Sequence, residues 1–378
     1  ILHRQNVANM LAVLRTTTRS AMCHPILQSR LPAIACAIAS LALVTGNSPA
    51  QTVIANSQTE FSGVQGQNDW TNGYRNLTLD GGARNAYDPD ANFIAFAGGS
   101  GDPTPFNGTT QQWNGSWDLS SSGAPWTQLT AYDTHPNGIN NAAEHWTIRR
   151  WTAPGTDISG PTVLRIDWRL GKTSSGGSGT TAQLHKNGVL VAMVFHQGNG
   201  TSETQVNTTS YLTVNVGDRI DLALTPIGID LSTHDGNDTS YTRMVITTAI
   251  DSDSDGLADV WEESHFPGDL TRLSSGSDYD GDGLDDEEEA AVAADPTVAD
   301  TDGDGVAVPD DAIPTNPNSH SDTDGYTDAA ELAANSDPLD NIDTPVSMKI
   351  TDSRTAWTTA AGVQGVGGWN WGYRNYTA

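Results

Sequence analysis

A chain of 378 residues with 46 acidic against 18 basic side chains has a net charge of -28, the wrong sign for a nucleic-acid-binding protein, and length enough for two or three domains. The acidity is local: residues 251–345 hold 28 Asp and Glu against one basic residue, Arg272, and the remainder is close to neutral. Both cysteines, Cys23 and Cys36, lie near the N-terminus, so the rest of the chain must fold without disulfides.

Residues 1–50 read as upstream residues and a secretory signal peptide. The run LPAIACAIASLALVTG (31–46) follows Arg30 and precedes Ser48-Pro49-Ala50, which gives a basic flank, an apolar core and a small-x-small cleavage site. The run is shorter than the ~20 apolar residues that cross a bilayer, so no membrane span is expected. A secreted, extracellular or cell-surface location follows.

Residues 51–250 are expected to be all-β, one sandwich of jelly-roll type. VLRIDWRL (163–170), YLTVNV (211–216) and RIDLALTPI (219–227) alternate as half-buried strands do. AQLHKNGVLVAMVF (182–195) reads as a hairpin turning at Asn187-Gly188, and Gly217-Asp218 as a further turn. Seven tryptophans fall between residues 70 and 168. Trp146, Trp151 and Trp168 belong to strands. Trp70, Trp113, Trp117 and Trp126 lie in Gly/Asn/Ser-rich text and, with Tyr74, form the candidate ligand-binding set, because an exposed aromatic face matches the apolar face of a sugar ring. No catalytic constellation emerges. GGSGD (98–102) lacks a nucleophile, Glu144-His145 lacks a second histidine, Asp88 and Asp90 read as a turn, and the other histidines are scattered.

Residues 251–345 are expected to bind calcium. DSDSDGLADVWE (251–262) fills every slot of a twelve-residue loop in which alternate oxygens surround one hard cation. Asp251, Asp253 and Asp255 stand at positions 1, 3 and 5, Gly256 at the turn, the Leu257 carbonyl at 7, Asp259 at 9 and Glu262 at 12. The second loop is complete with Asp278, Asp280, Asp282, Leu284, Asp286 and Glu289. The third has Asp300, Asp302, Asp304, Val306 and Asp311, but Val308 at position 9. The fourth has His320 at position 1, then Asp322, Asp324, Tyr326, Asp328 and Glu331. Residues 346–378 are expected to begin a second sandwich, since GVQGVGGWNWGYRNYT (362–377) repeats GVQGQNDWTNGYRNLT (63–78) at ten of sixteen positions.

DTDGDGV followed by DDAIP (300–314), and DTDGYTDAAELAANSDPLD (322–340), resemble bacterial thrombospondin type 3 repeats. The resemblance implies a loop-rich, calcium-loaded stalk with short helical turns. HPNG, EHWTIRRWTAP and VNVGDRIDLAL more loosely resemble galactose-binding-like and carbohydrate-binding-module-like sandwiches, which implies a polysaccharide or cell-surface glycan as partner. The expectation is a non-catalytic, secreted surface or matrix protein. The alternative is a set of accessory modules of an extracellular glycoside hydrolase or polysaccharide lyase.

Overall fold

The strand text of residues 163–170 folds as one edge-to-edge alternation. Leu164, Ile166, Trp168 and Leu170 point into a buried core, while Arg165, Asp167 and Arg169 point away from it. The computed structural model describes residues 51–338 except 82, 85, 97–114, 121–122, 230, 322–325, 335 and 337. The expected second sandwich, the signal segment, GGSGD and Trp113 lie outside the described residues.

Among the described residues, thirteen strands build two antiparallel sheets. They are β1 (Val53–Asn56), β2 (Trp70–Asn76), β3 (Phe93–Ala95), β4 (Ser116–Asp118), β5 (Gln128–Thr130), β6 (Asp133–His135) and β7 (His145–Thr152), followed by β8 (Thr162–Lys172), β9 (Thr180–Lys186), β10 (Val189–His196), β11 (Thr204–Val214), β12 (Arg219–Thr225) and β13 (Ser240–Thr248). One sheet runs β11-β8-β13-β6-β5-β4 with β1 added on β13; the other runs β10-β9-β12-β7-β2-β3. Their inner faces interdigitate through Leu164, Ile166 and Met244 from the first and Leu184, Ile220 and Leu222 from the second. The hairpin turns at Asn187 and Gly188, both with positive φ, as a two-residue turn of this twist requires.

The second sheet is covered on its outer face too. A helical turn, α1 (Leu77–Asp80), and the segment after it bring Leu77 and Tyr87 onto Trp146, Ile148 and Ala223. That cover buries an ion pair: Arg150 donates to both oxygens of Asp221 at 2.8 and 2.7 Å, and the Tyr87 hydroxyl donates to Asp221 at 2.8 Å. Between the sheets, the buried Arg149 guanidinium donates to the Thr130 carbonyl and to Thr242 and Thr134 hydroxyls.

The acidic repeats carry three short helices, α2 (Asp259–His265), α3 (Asp286–Val292) and α4 (Asp328–Ala334). They do not project as a free stalk. Leu257, Ala258, Trp261, Leu273 and Ala290 close on Val163, with Tyr211 alongside, and α3 packs on β10 and β11. The reason is physical: each loop also carries apolar side chains, and the sandwich offers a surface on which to bury them. Among the described residues, no helix is long and apolar enough to cross a membrane.

Candidate metal centres and an open cleft

Three loops share one backbone geometry. In the first, Asp251 accepts from the Ser254 and Gly256 N–H groups at 2.7 and 3.2 Å, and Asp255 accepts from Leu257 at 2.9 Å. Asp278 accepts likewise from Gly281 and Gly283, and Asp300 from Gly303 and Gly305. The sixth residue in each loop is a glycine with φ of 102°, 112° and 100° (Gly256, Gly283 and Gly305), a left-handed turn that a Cβ would strain. These turns bring Asp251, Asp253 and Asp255 together, then Asp278, Asp280 and Asp282, then Asp300, Asp302 and Asp304. Within each trio, one carboxylate oxygen per residue lies within 4.8 Å of the others.

The position-12 glutamates complete the picture. Glu262 on α2 is 1% exposed and Glu289 on α3 is fully buried, and neither oxygen of either carboxylate has a hydrogen-bond partner. Burial first, then the neighbouring aspartates, push both carboxyls up to about 8. Burying the glutamate beside three part-exposed aspartates without a cation is costly, whereas a hard divalent ion would neutralise the group and take up the free oxygens. The donor set is all oxygen, which suits a hard cation such as calcium.

Position 9 plays a different part. Asp259 accepts from the Ser252 N–H and hydroxyl at 2.7 and 2.6 Å, and Asp286 from the Ser274 and Tyr279 N–H groups at 2.9 and 3.0 Å. These carboxylates tie the start of each loop to its helix. The Leu257 side chain is buried in the docking cluster, the Leu284 side chain is half-buried, and Val306 is buried. In the third loop Val308 is also buried, and Asp311 meets Asp304 and Asp328 around the Ser319 hydroxyl. The third and fourth loops therefore share an acidic cluster across their boundary, which loop-by-loop spacing does not reveal. Asp322 and Asp324 lie outside the described residues; Tyr326 and His320 are half-buried, and Glu331 is buried on α4.

The aromatic set separates sharply. Trp70 is 3% exposed and donates its indole N–H to Glu60; Trp117 is 0% exposed and donates to the Ser62 carbonyl. Tyr74 packs between Phe96 and His145 at centroid distances of 5.4 and 5.2 Å. Trp70 and Trp117 belong to the fold and present no face to a ligand, contrary to their polar surroundings in sequence, while Tyr74 is half-buried. Trp126 is 48% exposed. It borders a cleft of about 660 Å³, lined also by Asp118, Gln128, His135, Asn140 and Asn237.

The histidine and carboxylate pairs set aside in the sequence are structural. Glu144 is held by Arg84 and Trp146, His145 Nδ1 lies 2.7 Å from the Thr127 hydroxyl, and Asp88 caps the turn through the Asp90 N–H at 2.8 Å.

No protein-family profile and no curated protein matches the chain. Its structural neighbours are carbohydrate-binding-module sandwiches among others. A family 35 module from Clostridium thermocellum aligns at 10% identity over 27% of this chain and 68% of its own, with a TM-score of 0.19. A family 35 module from an environmental isolate aligns at 17% identity over 35% of this chain and 84% of its own, with a TM-score of 0.21. The module CBM36, solved with calcium and xylotriose, aligns at 16% identity over 38% of this chain and 92% of its own, with a TM-score of 0.20. Likeness at this level carries no inference about what this chain binds.

Proposed function

We propose that the chain is a secreted, non-catalytic recognition module: a β-sandwich for carbohydrate, buttressed by calcium-binding repeats of the thrombospondin type 3 kind. The observation that carries the calcium reading is the pair Glu262 and Glu289, buried beside three aspartates each with both oxygens unpartnered. The carbohydrate reading is supported by the exposed Trp126 ring over a polar cleft.

Calorimetric titration of the whole chain tests the calcium reading. At least two calcium ions are expected to bind, with magnesium a poor substitute because it keeps its waters and demands six tight ligands. Glu262→Gln and Glu289→Gln should each weaken one site. Fewer than two ions, or wild-type affinity in both variants, would falsify the calcium reading.

A further inference from the structure

We propose that the cleft beside Trp126 binds a neutral sugar residue of a polysaccharide and discriminates against uronic and sulfated sugars; this rests on the carbohydrate reading above and adds the site and the class. Trp70 and Trp117 are buried and Tyr74 is half-buried between two rings, whereas Trp126, among the described residues, stands exposed at the cleft with its backbone N–H anchored to Asn137 Oδ1 at 2.7 Å. A half-exposed indole held this way offers an apolar plane to the C–H face of a pyranose.

Another part of the lining is polar and cross-linked by hydrogen bonds. The buried Asp235 accepts from the Gly138 N–H at 2.9 Å and from the amides of Asn140 and Asn141 at 2.7–2.8 Å, which fixes the loop that forms this wall. Asp118 and Gln128 also line the cleft, where burial raises the Asp118 carboxyl above its usual range and Gln128 donates to it at 3.3 Å. Burial lowers the His135 imidazole pKa and so favours the neutral ring. The lining thus supplies the Asp118 and Asp235 carboxyls, amides and an imidazole, groups that fit hydroxyls, and among the described residues no Lys or Arg. Lys172, close behind the Asn237 wall, is buried and turned to Asp238 and the Asn237 carbonyl. An anionic sugar would meet Asp118 and Asp235 with no Lys or Arg among the described lining residues to offset its charge.

The test uses the whole chain in millimolar calcium, titrated with neutral xylo-, cello- and manno-oligosaccharides and with oligogalacturonate, read by calorimetry and indole fluorescence. A neutral oligosaccharide should bind and perturb the fluorescence. Trp126→Ala should weaken it by about tenfold or more, with an unchanged melting temperature, and Trp126→Tyr should restore part of the loss. Wild-type affinity in Trp126→Ala would overturn the cleft while leaving carbohydrate binding elsewhere on the sandwich intact. Binding of the uronate as tightly as the neutral sugars would overturn the class. No binding of any sugar would remove both this inference and the carbohydrate reading, without touching the calcium sites.

Discussion

Glu262 and Glu289 govern how the repeats respond to pH. In the metal-free fold their carboxyls are pushed up to about 8 from 4.5 in an unconstrained chain. The fold therefore holds protons that the unfolded chain releases, and this contribution to stability, complete below pH 4.5, is lost as pH rises through about 8. On the calcium reading, the ion would take the place of those protons. Adding calcium to the metal-free chain at pH 7 should release on the order of one proton per glutamate site, with the release disappearing above pH 9. A pH-stat measures it directly, and Glu262→Gln with Glu289→Gln should abolish it. The sandwich has the opposite dependence. Burial pushes His145 and His185 down to about 4, so both stay neutral in the fold while the unfolded chain protonates them near pH 6.5. Stability should fall between pH 6.5 and 4 by roughly 1.4 kcal/mol per pH unit for each histidine. Urea unfolding at pH 7 and pH 5 in saturating calcium checks this, and an unchanged midpoint would dispose of it.

At the scale of elements, β7 and α2 are the informative cases. Strand β7 is buried on both faces, and its Arg150 is held by Asp221 and by the Tyr87 hydroxyl. Asp221→Asn leaves a buried guanidinium without its counter-charge and should cost about 3–5 kcal/mol, seen as a lowered denaturation midpoint. Helix α2 docks the first calcium loop on the sandwich through Trp261. Trp261→Ala should remove about 3–5 kcal/mol of that docking and admit protease near residue 250 while the sandwich core stays resistant. Uniform proteolysis of both parts would mean that the two do not separate. The alternating strands β8, β11 and β12 and the Asn187-Gly188 turn were legible in sequence because their signals are local. The loop spacing was legible for the same reason, since each aspartate trio comes from five consecutive residues. Trp117 was not: its neighbours in sequence are polar, and it is buried by Phe61, Phe96 and Leu129, drawn from distant segments. Nor was the outer cover of β7, where Arg150 reads as a surface residue until Tyr87 and Asp221 are brought to it.

For the whole molecule, the calcium reading predicts that metal binding and docking are coupled. Without metal, 28 acidic residues face one basic residue over 251–345, and self-repulsion opposes holding them against the sandwich. Each ion bound only by the folded form adds about 1.4 kcal/mol at tenfold excess over Kd. Chelation should raise the radius of gyration in small-angle scattering and lower the melting temperature, and calcium should reverse both; an unchanged radius would separate docking from metal. The pairing of β1 with β13 has a mechanical corollary. Thr52 and Thr248 exchange hydrogen bonds at the point where the chain enters the sandwich and the point where it leaves. Tension applied across residues 51 and 249 would peel that pair open one rung at a time, like a zipper, because antiparallel neighbours pulled from the same end never share the load. Just beyond the exit, Ala249 bonds to Val163, and the first calcium loop seats Leu257 and Trp261 on the same spot. The ion-loaded loop is placed as a latch on the zipper's open end, so the force at which the sandwich begins to tear should follow the calcium concentration around it.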